Sequence, residues 1–402
     1  MDHRESHQLL TESLPRFTGR MGLLLLLTGI FLSNFVARIL PAPLLVIVEQ
    51  ELQIGHANAA SLFLFISSGV CIGLLGSGYV ASRLTHRKTV ILSALLLGSA
   101  LLTTSMSSSI GAMRLCLFLV GMSAGFYFPS GIAIITTLIR PDDWGKALAV
   151  HELAPNLGFV AAPVLVETLS GLLSWRHILG AWGVFTLLIG AMFFRFAEGG
   201  AFPGATPHYS IFRRIAAKGS FWIITIAFGL SVGGSLGVYA VTPLYLVTER
   251  GMNLDSANTL VALSRVPGIP MALVAGWLVD LIGVKRSIRS FLLTTGAATL
   301  FVGSSPNSWI QVAIFLQAIS SVCFFPAGFA ALARIFPASE RSLAIAISVP
   351  VAILLGAGII PTLLGYLAER GFFSLGFSLV GGSLILGAAC FMLLRTSLDK
   401  NL

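Results

Sequence analysis

Twelve apolar runs, separated by short clusters of polar and charged residues, constrain this chain more than any other feature of its sequence. A helix needs roughly 18 to 20 apolar residues to cross the hydrocarbon core of a bilayer, and all but one of the runs reach that length. Only 10% of the residues are charged, which is too few to cover the water-facing surface of a soluble protein of this size. The hydrophobic fraction, 56%, is also above that of an ordinary soluble protein. The pattern predicts an all-α membrane protein and excludes a soluble enzyme.

The ninth run, Ser290–Gly303, is the short one, and we expect its helix to extend into the flanking residues. The predicted spans are Met21–Val48, Ala60–Val80, Thr89–Met106, Met113–Ile139, Leu148–Leu169, Ile178–Phe196, Phe221–Val247, Ala257–Ile282, Ser290–Gly303, Trp309–Phe336, Ala344–Leu367 and Phe373–Leu394.

The distribution of basic residues predicts the topology. With the N-terminus in the cytoplasm, 19 Lys and Arg residues fall in inside segments and four in outside segments. Because cytoplasmic loops carry the excess of Lys and Arg, both termini are predicted to be cytoplasmic in a multi-pass plasma-membrane protein. This asymmetry explains the net charge of +9, so we expect no nucleic-acid partner. The four cysteines lie in apolar runs without metal-ligand spacing, and neither a metal nor a cofactor is expected.

The chain divides into two similar halves. A 1–20 tail and a 21–196 six-helix bundle precede a 197–219 linker, which contains the basic amphipathic segment Tyr209–Lys218; a second bundle, 220–395, and a 396–402 tail follow. Gly78–Lys88 aligns with Gly276–Arg286 at an offset of 198, and Phe128-Pro129 aligns with Phe325-Pro326 at an offset of 197. Duplicated six-helix units are typical of transporters whose halves rock about a central site.

The loop after the eighth span carries Gly276-x-x-x-Asp280-x-x-Gly283-x-Lys285-Arg286. This segment resembles the loop motif GxxxDxxGxKR of the major facilitator superfamily, and the resemblance extends along almost the whole chain. It implies a twelve-helix fold, secondary transport by rocker-switch alternating access, a monomer, and a gating role for Asp280 against a neighbouring helix terminus and basic residues. The copy in the first half has Ser82 at the acidic position and Thr85 at the second glycine; its predicted gating residues are Gly78, Arg83 and Arg87.

Two arginines stand inside predicted spans, where a charge costs at least about 2.5–3.5 kcal/mol and therefore indicates function. By helical rise, Arg38 and Arg265 lie roughly 16 and 15 Å from the outer end, one in each half. Because guanidinium binds carboxylate bidentately, we predict a paired clamp for a small organic anion. The alternative is that either arginine pairs with Glu152 or with helix carbonyls and holds helices together. The membrane arginines also resemble those of the superfamily's monocarboxylate, oxalate:formate and anion:cation symporter branches.

Other polar residues within spans are candidates to assist this clamp. Five are predicted hydrogen-bonding partners for the substrate: Asn34, Tyr127, Asn156, Tyr239 and Gln317. His151 and Glu152 begin the fifth span and are predicted to couple transport to protons, since a buried carboxyl beside a histidine can titrate near neutral pH. The alternative for this pair is a solvated cytoplasmic mouth.

The sequence therefore predicts a carrier of a small organic anion, by proton symport or anion exchange. Enzyme classes fit poorly, since Pro155 occupies the place of the second histidine of HExxH and no phosphate-binding loop is present. Proton-coupled efflux of drugs or metabolites remains the alternative, supported by a partial glycine–proline motif at Gly158–Pro163. Arg38 in the first span, where a cation pump would be helped by an acid, favours the anion.

Overall fold

The computed structural model describes residues 17–204 and 209–393, and all regular secondary structure in these ranges is helical. The α-helices of the described residues are α1 Met21–Ile39, α2 Pro41–Leu52, α3 His56–Arg83, α4 His86–Ser105, α5 Ile110–Leu138, α6 Trp144–His151, α7 Leu153–Ser170, α8 Trp175–Phe196, α9 Tyr209–Ala216, α10 Gly219–Val232, α11 Val238–Thr248, α12 Leu254–Arg265, α13 Gly268–Ile282, α14 Val284–Ser304, α15 Ile310–Ser321, α16 Phe324–Ile335, α17 Ala338–Ile353, α18 Ile360–Ala368 and α19 Phe373–Leu393.

Eleven helical segments of the described residues are long and apolar enough to cross a membrane. The predicted ninth span is helix α14, whose 21 residues begin at Val284 and so extend the apolar run toward the N-terminus, as expected. Its first turns carry Lys285, Arg286 and Arg289, and it packs along α19. The predicted tails fall largely outside the described residues, which begin at 17 and end at 393.

Several of the long helical segments are broken near their middle. Leu40 separates α1 from α2, because Pro41 and Pro43 cannot extend the hydrogen-bond ladder of the preceding turn. π-helical turns, Gly233–Gly237 and Leu354–Ile359, join α10 to α11 and α17 to α18. Such turns displace the regular ladder and release carbonyls toward other donors, so polar backbone becomes available at the centre of the protein.

Small residues allow close packing inside the first half. Gly69 and Gly73 of α3 face Gly121 and Gly125 of α5, and a Cβ at any of them would collide with the facing backbone. Two small residues spaced by four on each helix form the close-approach pattern typical of membrane helices. The α3–α5 contact is accordingly among the most extensive in the fold.

The two halves meet mainly at one end of the protein. We call the end with the α3–α4, α5–α6, α8–α10, α13–α14 and α16–α17 connections the basic end, and the other the opposite end. At the opposite end α2 packs on α11, α7 on α12, and α3 on α18. Here the Glu369 carboxylate accepts a hydrogen bond of 3.1 Å from the Ala57 amide at the start of α3. The halves are therefore closed at the opposite end.

The segment between the halves contacts both of them at the basic end. Gly200 and Phe202 carbonyls accept hydrogen bonds from the amides of Arg87 and His86, at 2.8 and 3.1 Å. On the other side, Lys218 and Arg214 form ion pairs of 2.9 and 2.7 Å with Glu340. The hydrogen bond from Lys218, with the nearby Arg214 charge, holds the pKa of Glu340 below its ordinary value.

Candidate anion-binding cavity

Arg38 is the predicted substrate-binding arginine whose guanidinium has no hydrogen-bond or ion-pair partner among the described residues. It lies near the end of α1, partly exposed, with its guanidinium carbon 5.0 Å from the centre of the Phe35 ring. Within residues 17–204 and 209–393 this guanidinium donates no hydrogen bond and forms no ion pair, and its Nε is buried without a partner. A buried donor without an acceptor is costly, so an acceptor from a ligand would stabilise this side chain.

Arg38 is one of the residues that line a cavity between the two halves. Helices from both halves form its wall: α1 and α3 on one side, and on the other the segments around the two π-helical turns. Besides Arg38, the lining residues with polar side-chain atoms are Ser67 and Tyr239. The apolar lining residues are Ile39, Phe63, Ile66, Val70, Leu236, Ala240, Ile353 and Ala357.

Three aromatic rings connect the regions of the two membrane arginines. Phe35 packs edge to face on Phe159 with ring centroids 5.0 Å apart, and Phe159 packs in the same way on Tyr239 at 4.9 Å. The guanidinium carbon of Arg265 lies 4.7 Å from the centre of the Phe159 ring and 5.1 Å from that of Tyr239. The rings thus offer cation–π contacts to both arginines, which lie in different halves.

Arg265 differs from Arg38 in its partners. It is only 6% exposed, and its two terminal nitrogens donate hydrogen bonds of 3.3 Å to the Ser321 hydroxyl and the Ser235 carbonyl. Ser235 belongs to the π-helical turn of α10–α11. Contact with a helix carbonyl is the alternative that the sequence left open for a membrane arginine. The two arginines of the predicted paired clamp therefore differ in their partners: Arg265 donates hydrogen bonds to the protein, and Arg38 donates none within the described residues.

Tyr127, His151 and Glu152 form a second polar cluster, nearer the basic end. The Tyr127 hydroxyl donates to the Leu27 carbonyl at 2.6 Å, so the Nε2 of the fully buried His151, 3.0 Å away, must donate to the hydroxyl oxygen. The neutral imidazole therefore has its lone pair on Nδ1. That atom has no hydrogen-bond partner among the described residues and lies 3.6 Å from the half-exposed Glu152 carboxylate.

The remaining predicted hydrogen-bonding residues lie outside the cavity wall. Asn34 and Asn156 donate to the carbonyls one turn before them, Ile30 at 3.3 Å and Glu152 at 3.1 Å. Gln317 donates to the Gly234 carbonyl of the same π-helical turn that Arg265 contacts. Of the five predicted polar partners, the structure places Tyr239 alone in the lining that contains Arg38.

The residues of the loop motif lie at the basic end. Asp280 is exposed and makes no ion pair or hydrogen bond within the described ranges, and a Cβ on Gly276 would meet open space. Gly283 ends α13 with φ of +84°, a conformation that favours glycine. In the first half Gly78 lies within α3, Arg83 contacts the Tyr79 ring, and Arg87 donates to the Phe194 carbonyl.

The aromatic rings are functional candidates that the sequence reasoning missed. Phe31, Phe35 and Arg38 recur at intervals of four and three residues, which places them on one face of α1, and this spacing was a usable signal. Phe31 stacks on His151 with centroids 4.4 Å apart, and Phe35 contacts Phe159. For Phe159, in an apolar run, the sequence held no distinguishing signal.

The described residues form two helical halves with eleven candidate membrane spans and a cavity between them that is lined by an unpaired arginine, Arg38. These features define the class of polytopic membrane transporters. The sequence profile of the Major Facilitator Superfamily matches residues 26–270 and 224–401. The chain belongs to this superfamily, as its loop motif predicted.

Curated relatives and solved structures agree with this membership. The chain is 25% identical to the probable sulfoacetate transporter SauU of Cupriavidus necator, over 85% of this chain and 86% of the relative. It is 24% identical to the 4-hydroxybenzoate transporter PcaK of Pseudomonas putida (73% and 74%) and 21% identical to the putative niacin/nicotinamide transporter NiaP of Bacillus subtilis (86% of each). The crystal structure of a bacterial homolog of the human lysosomal transporter Spinster, inward-facing and occupied, shares the fold with a TM-score of 0.80 at 14% identity, over 95% of this chain and 97% of that one.

Proposed function

We propose that this protein moves a small organic anion of carboxylate type across the plasma membrane by alternating access, as a proton symporter or an anion exchanger. The observation that carries the proposal is the unpartnered guanidinium of Arg38 in a cavity between the halves. An anionic group on the substrate supplies the acceptors that the protein does not, and it neutralises the charge of Arg38. The relatives named for sulfoacetate, 4-hydroxybenzoate and niacin transport support an organic acid.

The proposed topology has twelve spans, with α14 as the ninth, and both termini in the cytoplasm. The basic end is then cytoplasmic, because its connections carry the excess of Lys and Arg. With contacts between the halves concentrated at the opposite end, the conformation corresponds to closure toward the outside. The exposed Asp280 supports a role for the loop motif as a latch that engages when the cytoplasmic side closes. The protein is proposed to work as a monomer.

For coupling, we assign the proton site to His151 and Glu152. Tyr127 fixes the neutral imidazole with its lone pair on Nδ1, directed toward the Glu152 carboxylate. The titratable groups that face the ring in the described structure are Tyr127 and Glu152; its other neighbours are the Phe31 and Phe128 rings. Glu152 is about half exposed, so water reaches its carboxylate, whereas the His151 ring beside it is fully buried.

Helix α1 provides the connection between the proton site and the anion site. Phe31 stacks on His151, and Phe35, one turn later, contacts the rings and the guanidinium of the cavity. Protonation of His151 changes the charge beneath Phe31, and any resulting movement of α1 shifts Arg38 as well. This shared helix makes proton symport the favoured mechanism of coupling.

The efflux alternative receives less support. A pump for cationic compounds needs a carboxylate in its binding site, and none of the residues lining this cavity is acidic. Neutral lipophilic compounds fit the apolar wall and leave the charge of Arg38 unpaired. Charge dependence of binding therefore separates the two functions.

The deciding experiment is transport in proteoliposomes. Uptake of radiolabelled mono- and dicarboxylates, with 4-hydroxybenzoate and succinate as the first probes, is compared for the wild type, Arg38→Gln and Arg38→Lys. We expect Arg38→Gln to lose uptake and Arg38→Lys to retain a small part of it, because lysine keeps the charge without the bidentate geometry. The control is Arg195→Gln, an exposed arginine outside the cavity. Uptake by Arg38→Gln equal to that of the control would refute the proposal.

A further inference from the structure

We infer that the cavity selects organic monoanions with an apolar body, a single carboxylate or sulfonate on a ring or short hydrocarbon, over dianions and polyhydroxylated acids. The inference rests on the proposed anion transport and specifies its substrate class. It follows from the charge, the hydrogen-bonding capacity and the apolar composition of the cavity wall.

The cavity supplies one free cation. Arg38 is the charged residue in the lining, and no carboxylate accompanies it. Arg265, the nearest candidate for a second cation, is not part of the lining, and its terminal nitrogens already donate to Ser321 and Ser235. A second anionic group on the substrate would lose its water without gaining a cation, and this desolvation weakens the binding of dianions.

The wall also offers few hydrogen bonds to hydroxyl groups. The Tyr239 hydroxyl donates to the Phe159 carbonyl, 3.5 Å away, so its proton is not available to a substrate in this conformation. The other lining hydroxyl is that of Ser67. A polyhydroxylated acid would bring several polar groups against an apolar wall, and each unsatisfied group costs binding energy. The wall therefore disfavours sugar acids.

The composition of the cavity wall favours an apolar body on the substrate. Eight of its eleven lining residues are apolar. Phe63 from α3 and Tyr239 from the opposite half provide aromatic surfaces. A monoanion can place its anionic group on the fork of Arg38 while its body replaces water at these surfaces.

The Tyr239 ring supports this preference for monoanions because it lies between the cavity that contains Arg38 and the guanidinium of Arg265. We call this arrangement the partition. The ring belongs to the cavity wall that contains Arg38, and its centre lies 5.1 Å from the guanidinium carbon of Arg265. Removal of the ring in Tyr239→Ala would open the cavity toward Arg265 and bring a second cation within reach. We expect this variant to gain affinity for dianions.

The test is calorimetric titration of the purified full-length protein, which avoids passive permeation of weak acids. The probes are benzoate, benzenesulfonate and hexanoate as apolar monoanions, succinate as a dianion, gluconate as a polyhydroxylated acid, and benzamide as the neutral analogue of benzoate. Each probe is titrated separately. We expect each apolar monoanion to bind with a Kd at least about tenfold below that of succinate or gluconate, a difference that calorimetry resolves readily. Tyr239→Ala should narrow the gap between benzoate and succinate, whereas Tyr366→Ala, at an exposed tyrosine outside the cavity, should not.

The outcomes separate this inference from the proposed function. Succinate or gluconate binding as tightly as benzoate in the wild type would overturn the monoanion preference and leave anion transport standing. Benzamide binding as tightly as benzoate would overturn the proposed anion function itself, because charge would then contribute nothing. A Tyr239→Ala protein that loses benzoate and gains no succinate would overturn the partition.

Discussion

Phe35 and Phe159, both in the first half, pack edge to face with ring centroids 5.0 Å apart, and each ring contacts the guanidinium of a different arginine. Arg38 lies 5.0 Å from the first ring and Arg265 lies 4.7 Å from the second. Two like charges in a low-dielectric interior repel each other, and the negative faces of the rings offset part of that repulsion. The pair is therefore a structural support for both cations.

Replacement of one ring should weaken this support. In Phe159→Leu the side chain remains apolar, but Arg265 loses one of its two aromatic contacts and Phe35 loses its edge-to-face partner. We expect a loss of about 1–2 kcal/mol in the free energy of unfolding, from the cation–π and ring–ring contacts together. Thermal unfolding in detergent measures it, with the exposed Phe194→Leu as the control. Equal melting temperatures for the two variants would contradict the prediction.

Arg265→Gln should destabilise the protein more than it alters anion binding. Arg265 donates to the Ser235 carbonyl in the π-helical turn and to Ser321, so its removal leaves buried acceptors without a donor. We expect the free energy of unfolding to fall by about 1.5–3 kcal/mol, the range for hydrogen bonds to charged groups. Arg195→Gln serves again as the exposed control. If Arg265→Gln abolishes benzoate binding and leaves the melting temperature unchanged, its main role is in the substrate site.

The proton site predicts a pH signature. Uptake of 4-hydroxybenzoate by the wild type should depend on pH, and Glu152→Gln and His151→Gln should flatten the profile, because these two residues form the proposed proton site. Tyr127→Phe removes the acceptor of the His151 Nε2–H group and the donor to the Leu27 carbonyl. We expect it to lower the free energy of unfolding by about 1–3 kcal/mol through these unsatisfied groups. A pH profile of Glu152→Gln that overlays the wild type would exclude coupling through this pair.

A substitution at Gly365 should disturb closure at the opposite end. A Cβ on this glycine of α18 would lie 2.6 Å from the His56 carbonyl oxygen at the start of α3. Gly365→Ala should therefore separate the halves there and increase hydrogen exchange in residues 56–61. Gly382→Ala is the matched control, because a Cβ at Gly382 of α19 meets nothing within 4 Å. Exchange in Gly365→Ala equal to that of Gly382→Ala would show that the contact does not control closure.

The linker contact at Glu340 predicts a further pH dependence. Lys218 and Arg214 lower the pKa of this carboxyl, so its pairing stabilises the folded state above the ordinary pKa of glutamate. The contribution is lost as the pH falls through the lowered pKa. Glu340→Gln should thus melt below the wild type at neutral pH, and the two should converge in acid. Glu198→Gln, which breaks an exposed pair with Arg20, should have a smaller effect at neutral pH; an effect of equal size would contradict the structural role of Glu340.

The sequence by itself determined that the chain is a helical membrane transporter. The length of the apolar runs and the duplicated loop motif are local properties of the sequence, and they do not depend on how the helices pack. The helix beginning at Val284 illustrates this, because the short apolar run at 290–303 could form a span only by extending into its flank. Membership of the Major Facilitator Superfamily followed from the same local features.

Only the tertiary structure decided which polar groups are free. Arg38 and Arg265 have similar predicted depths in the membrane, yet one lines a cavity and the other is held by Ser321 and Ser235, 56 and 30 residues away in the chain. Gln317 and Tyr127 likewise have partners on other helices. The rotation of each helix and the position of its breaks set these partners. Both depend on packing between distant segments, which the spacing of residues along one helix does not encode.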